Sequence, residues 1–308
     1  GYQAGLQHLT GGYNTVIGYG AMDGTGTGST SAGSSHNTVL GYFAAGGAWV
    51  DQDCSNLVAI GSNTLQGALQ GNATDGTVAV GSHSLYALTT GAGNVAVGYS
   101  AGKLLTTGTY NTVMGYGAFD AATFASSYNI AIGGNAMGAM NEVDDRNIDN
   151  NIAIGYNALF GASLTGTSGG TAVTGCVAIG HTALDSTGNN TQLGTIAIGQ
   201  QALTALTSGA GNTVIGYQAA DALTTGSSNT VMGYGALSAA DGTETHNVAI
   251  GRESMGGLDE NVNSGGGTNS ANSNIAIGYQ ALYAGQLADP SDSSNPQIND
   301  NIAIGITA

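Results

Sequence analysis

The sequence predicts an all-β chain wound as a β-solenoid of about fifteen coils of 17–27 residues. Three observations carry this prediction. One five-residue motif recurs from end to end; each copy ends on a glycine that is followed at a fixed distance by a small and then a large apolar residue; and no stretch sustains the 3.6-residue apolar period of a helix.

The motif reads Asn-x-(Val/Ala)-(Ile/Val)-Gly. It ends at Gly18, Gly41, Gly61, Gly81, Gly98, Gly115, Gly133, Gly155, Gly180, Gly199, Gly216, Gly233, Gly251, Gly278 and Gly305, and Gly1 reads as the last residue of a further copy. Fifteen tandem units of this size mean a solenoid, because each is too small to bury an apolar face without its neighbours. Three residues after the glycine stands Ala in thirteen of sixteen copies, with Thr64, Ser84 and Ser254 in the others. The next position is usually large, as in Met22, Leu65, Phe119 and Leu203. Each unit is therefore a short strand, a glycine corner, a segment ending in Ala-Leu and a polar turn. A longer period overlies the short one: residues 98–119 match 216–237, and 1–22 fit the same template. The whole of 1–308 is thus expected to be one continuous array, an excerpt of a longer fibre, with end-to-end stacking of uncapped coils as the other reading.

The strand itself predicts burial on two sides. Side chains alternate across a strand, so the residues one and three before the glycine share a face and the residue between them takes the other. Thr three before the glycine is always followed by Val, and Ile or Val there is always followed by Ala. Neither face prefers water, the pattern of a strand covered on both sides. One side fills the thin coil; the other needs a second chain, or it forms a long apolar stripe. Three chains around a common axis is the simplest closed arrangement, and the residues alone leave a two-chain arrangement open.

Four before the glycine stands Asn in eleven of fifteen coils, with Leu57, Thr77, Cys176 and Thr195 as exceptions. Stacked asparagines can pass amide hydrogen bonds from coil to coil. Tyr follows the glycine in nine coils and is expected to form a partial surface stack. At about 4.8 Å per coil the array would reach roughly 70 Å.

Composition excludes several functions. The chain has 308 residues, 3 basic against 19 acidic, and a net charge of −16, so it has no basic patch for nucleic acid. No apolar run approaches the roughly 20 residues that cross a bilayer. His8, His36, His83, His181 and His246 lie in different coils with no metal-site spacing, and read as turn or surface residues. Cys54 and Cys176 are six coils apart, too far to pair within one chain, and Cys176 reads as a small buried residue in the Asn column.

The longest insertions, 134–150, 156–175, 252–273 and 279–300, hold much of the acid: Glu142, Asp144, Asp145, Asp149, Asp259, Glu260, Asp289 and Asp292. Paired carboxylates are the currency of glycoside hydrolysis and calcium binding, but no calcium loop pattern occurs, and solvated loops that keep the array soluble are the simpler reading. No cofactor, metal or catalytic group is expected. Should a ligand bind, a glycan on Tyr116, Tyr156, Tyr234 or Tyr279 and a neighbouring acidic insertion (Asp144, Asp145, Asp149; Asp259, Glu260) is the natural candidate.

The repeated Asn-x-(Val/Ala)-(Ile/Val)-Gly followed by Tyr-x-Ala-Leu resembles the head repeats of YadA-like trimeric autotransporter adhesins and the repeats of phage tail-fibre and surface-fibre proteins. The likeness spans the whole chain. It implies a left-handed parallel β-roll, a parallel homotrimer, and an extracellular role at a virion or cell surface in adhesion or in displaying a receptor-binding tip. The coils here are longer than the adhesin's and no stalk heptads follow, whereas the Tyr-x-Ala-Leu half fits a fibre. The expected function is a structural, non-enzymatic fibre segment of a phage tail or virion appendage. A bacterial adhesin that binds host matrix or glycan is the alternative, and a tailspike polysaccharide depolymerase the third reading.

Overall fold

A computed structural model of the chain describes residues 1–7, 11–26, 33–49, 53–70, 74–123, 125–140, 148–161, 173–187, 192–240, 242–257, 271–283 and 298–308. They fall into two compact units, Gly1–Asn151 and Ile152–Ala308. Both are stacks of short parallel strands, a β-solenoid, and the helical content of the described residues is confined to 3-10 turns, at Asp23–Gly26 and at the single residues Gly33 and Thr74.

In the first unit the strands of the main sheet are Thr15–Ile17, Thr38–Leu40, Val58–Ile60, Val78–Val80, Val95–Val97, Thr112–Met114 and Ile130–Ile132, and the two-residue strand Ile148–Asp149 lies outside that sheet. Each pairs with the next in parallel, and the motif sets the register: Thr15 lies opposite Thr38, Val39 opposite Ala59, Met114 opposite Ile132. The second unit repeats this with Ile152–Ile154, Val177–Ile179, Ile196–Ile198, Thr213–Ile215, Thr230–Met232, Val248–Ile250, Ile275–Ile277 and Ile302–Ile304. Insertions of up to ten residues between glycines leave the register intact, as between Ile275 and its partner Ile302, so extra length is accommodated between strands.

The middle residue of each strand faces inward. Val39, Ala59, Ala79, Ala96, Val113 and Ala131 are buried in the first unit, as are Ala153, Ala178, Ala197, Val214, Val231, Ala249 and Ala276 in the second. Opposite them the coil closes with the Ala-Leu pair, and Leu65, Leu85, Phe119, Leu159, Leu203 and Leu237 are fully buried. Where Ala is replaced, the added hydroxyl finds a partner: Thr64 Oγ1 donates to the Gly81 carbonyl (2.6 Å), Ser84 Oγ to Ala96 (3.1 Å) and Ser254 Oγ to Ala276 (3.0 Å).

The corner explains the glycine. At Gly61 φ is +137°, and a Cβ there would lie 2.5 Å from the carbonyl oxygen of Gly81 in the next coil. Both the conformation and the close approach require glycine. Beyond the corner the backbone takes positive φ twice more, two and four residues on, for example at Asn135 (52°) and Met137 (56°). The Ala136 N–H reaches the Gly133 carbonyl at 3.4 Å and the Gly138 N–H the Asn135 carbonyl at 2.9 Å. The segment is thus two overlapping turns of the type II pattern, with positive φ at the third residue of each. A left-handed residue costs about 1–2 kcal/mol when it carries a Cβ. Full burial of a Leu or Met contributes about 1.5–3 kcal/mol, which is why a large apolar residue holds the second of these positions.

Candidate functional site

The polar groups of this molecule stand in columns, one residue per coil, and each column has its own task. The Asn column four before the glycine is an internal ladder. Asn111 Oδ1 accepts both the backbone N–H (3.0 Å) and the side-chain amide (3.1 Å) of Asn129, and Asn129 Oδ1 does the same for Asn151 (3.0 and 3.1 Å). In the second unit the chain runs Asn212, Asn229, Asn247, Asn274, Asn301. These amides are buried except at Asn301. Cys176 occupies the same column, buried as expected, with its thiol against the carbonyls of Thr174 (3.8 Å) and Gln192 (3.6 Å). Burial pushes that thiol above its ordinary pKa, so it is not an activated nucleophile.

A second ladder, absent from the sequence reading, lies six before the glycine. There a side-chain oxygen accepts the backbone N–H of the preceding coil: Ser55 Oγ from Ser35 (3.2 Å), Asp75 Oδ1 from Ser55 (2.7 Å), Asn272 Oδ1 from Thr245 (2.7 Å). Asp149, singled out above as a ligand contact, belongs to this column, and its Oδ1 accepts the Ser127 N–H at 2.7 Å. Asp144, Asp145, Asp259 and Glu260, with Glu142, Asp289 and Asp292, lie outside the described residues.

The exposed Tyr column one past the glycine does stack. Tyr2, Tyr19 and Tyr42 form one run (5.6 Å between successive rings), Tyr99 and Tyr116 a second (5.2 Å), and Tyr217 and Tyr234 a third (5.3 Å). Two residues not foreseen there fill the tyrosine's place. His181 stacks on Tyr156 at 5.5 Å, and the Arg252 guanidinium lies over both Tyr234 (5.4 Å) and Tyr279 (5.8 Å). Arg252 also pairs with Glu253 (3.1 Å), whose other oxygen accepts from Gln280 (2.7 Å), and these bonds, that of Gln280 first, hold the Glu253 carboxyl below its usual range. A shorter aromatic column, five before the glycine, holds Tyr13 on His36 (5.0 Å) and Tyr110 on Tyr128 (5.4 Å). Aligning every coil on its glycine, rather than counting tyrosines, is the signal that finds His181 and Arg252.

Tyr116, Tyr156, Tyr234 and Tyr279 are therefore rungs of surface stacks, and within the second unit the structure brings Tyr234 and Tyr279 together through Arg252. No group of three or more His, Cys, Asp or Glu gathers as a metal site among the described residues, and no helix among them is long and apolar enough to cross a membrane. The histidines His36, His181 and His246 are exposed and His83 half-buried; His8 lies outside the described residues. Three half-buried carboxyls, Asp120, Asp185 and Asp221, share the position five after the glycine. Burial raises each above its usual pKa, against smaller opposing effects from Lys103 at Asp120 and His181 at Asp185.

The remaining column is the outward strand face. Its residues, one and three before the glycine, are Thr, Val, Ile, Leu or Met throughout, and many are wet: Ile17 is 57% exposed, Met114 41% and Met232 46%. No protein-family model, curated protein or solved structure matches the chain.

Proposed function

We propose that the chain is a structural, non-enzymatic segment of an extracellular fibre, a phage tail fibre or virion appendage that supports receptor binding. In it, three copies pack in parallel as left-handed β-rolls around a common axis. The outward strand face carries this reading. In each unit it is a contiguous strip of Thr and apolar side chains with no charged residue, roughly 300 Å² from strand spacing and length alone, the size of the largest patch on an ordinary monomer, which is often a functional surface. Its regular step favours a partner with the same step, and the partner that always has it is another copy of the chain. Closed cyclic symmetry then buries the strip on every copy and leaves no unpaired one.

The test is mass in solution by light scattering at several concentrations, with three chain masses expected and a monomer at every concentration refuting the proposal. Ile198→Asp places a carboxylate in the middle of the strip, where burial against another copy would strand an unpaired charge. It is expected to dissociate the assembly while leaving the β circular-dichroism signal of each chain.

The exposed tyrosine columns favour a second reading, a cell-surface adhesin in which the roll itself meets a host glycan or matrix. Loss of fibre assembly without loss of surface attachment would select it.

A further inference from the structure

The aromatic column of the first unit is broken at one place. Tyr42 ends the run that begins at Tyr2; the next two rungs are Ser62 and Ser82; the column resumes at Tyr99. Three coil steps separate the two rings, about 14 Å at ordinary strand spacing. Phe43 meets both Tyr19 (5.5 Å) and Tyr42 (4.7 Å) edge-on, so it lies along the flank of the stack and leaves the Tyr42 face toward Ser62 uncovered. Tyr99 has Tyr116 on one side and only the edge of His83 on the other (6.1 Å, 62°). Tyr42 and Tyr99 are 54% and 50% exposed. The floor between them holds two hydroxyls and their neighbours: Ser62 Oγ accepts from Asn63 Nδ2 (3.2 Å), and Ser82 Oγ meets His83 Nδ1 (2.9 Å).

We propose that this notch binds a neutral saccharide. The ends are two exposed tyrosine rings, Tyr42 and, beside His83, Tyr99, whose ring surfaces suit flat C–H groups. The floor offers hydroxyl, amide and imidazole groups and no Asp, Glu, Lys or Arg, which suits a ligand dense in hydroxyls and without charge. A pyranose presents both on one ring: an apolar face for the tyrosine and equatorial hydroxyls for the floor. With carbon contacts of about 3.5–4.0 Å, the gap has room for a sugar ring against either tyrosine. A planar aromatic ligand would fill the walls and leave the floor unpaired. The proposal deepens the receptor-binding half of the proposed function by naming a ligand class and a place; its readout is ligand binding, so it stands or falls apart from the oligomer mass.

The test is saturation-transfer NMR and calorimetry on the whole chain with neutral tri- to pentasaccharides of glucose, galactose and N-acetylglucosamine. At least one series is expected to bind with a Kd of about millimolar or tighter. Completing the column with Ser62→Tyr and Ser82→Tyr fills the notch without touching the core and is expected to weaken that binding about tenfold or more. Tyr42→Ser with Tyr99→Ser removes both walls and is expected to do the same, while Tyr217→Ala, which removes the end ring of a second-unit stack away from the notch, leaves binding unchanged. No binding of any series, or binding by the filled or the wall-less variant as tight as by the unaltered chain, overturns the proposal.

Discussion

At the scale of single residues, this molecule separates two reasons for glycine that look alike in the sequence. Gly115 and Gly235 both have positive φ, at 138° and 57°. A Cβ on Gly115 would fall on the carbonyl of Gly133 in the next coil, and backbone cannot move aside in a stack. A Cβ on Gly235 would find only ordinary contacts, 3.7 Å to Glu253 Cγ and 3.8 Å to Ser238 Oγ. Gly115→Ala is therefore expected to cost on the order of 4 kcal/mol, enough to open the coil, whereas Gly235→Ala costs about 1 kcal/mol for its left-handed backbone alone. Denaturant melts of the two variants check this, and equal losses would mean that φ rather than coil spacing selects the motif glycine. The reverse change at the equivalent position, Thr182→Gly (φ 52°), removes the same strain and is expected to stabilise by a few tenths of a kcal/mol after the extra chain entropy of glycine is counted.

At the scale of the coil, the two polar ladders divide the work of satisfying buried amides. Asn229 shows how much rests on one rung. Its Oδ1 accepts the Asn247 backbone N–H (3.0 Å) and side-chain amide (3.1 Å), and its own amide donates to Asn212 Oδ1 (3.0 Å) and the Glu244 carbonyl (2.8 Å). Asn229→Ala orphans two buried donors at once and is expected to destabilise by about 3 kcal/mol. Hydrogen exchange at the Asn247 amide should accelerate far more than at an amide whose acceptor is backbone, such as that of Thr230; unchanged exchange would show that the ladder is incidental. This rung was legible in the sequence, because Asn recurs at one offset and a recurring polar residue inside an apolar strand needs a partner of its own kind. The left-handed residues were not: propensity says that Leu avoids positive φ, and only the closed coil reveals that burial of Leu237 or Leu203 outweighs the strain. Nor was the acceptor column of Ser55, Asp75 and Asp149, since serine and aspartate before a strand also read as solvated turn. The outward face was legible in kind, two apolar faces on one strand, while the broken aromatic column became visible only when His181, Arg252, Ser62 and Ser82 were placed on the same line as the tyrosines.

At the scale of the whole molecule, charge governs how stability follows pH. Asp120, Asp185 and Asp221 are half-buried, and burial raises their pKa values in the folded chain. A carboxyl whose folded pKa exceeds its unfolded one contributes stability below the unfolded value, about 4, and that contribution is lost as pH rises through the folded pKa. Glu253 works the other way: its lowered pKa contributes above the unfolded value and is lost on acidification, but its pair with the exposed Arg252 lies at the surface, where solvent screens it. The net charge of −16 adds self-repulsion that grows as carboxyls ionise. Both larger effects point the same way, so the melting temperature is expected to be highest in mild acid and to fall between about pH 4 and pH 7. Replacing Asp120, Asp185 and Asp221 together by Asn should flatten that fall, because the Asn variant has no ionisation to lose, and should raise the melting temperature at neutral pH toward its value in acid. A wild-type melting temperature that climbs steadily to neutrality would refute the assignment. A triple variant with an unaltered slope would place the whole pH dependence in the net charge and none of it in the three buried carboxyls.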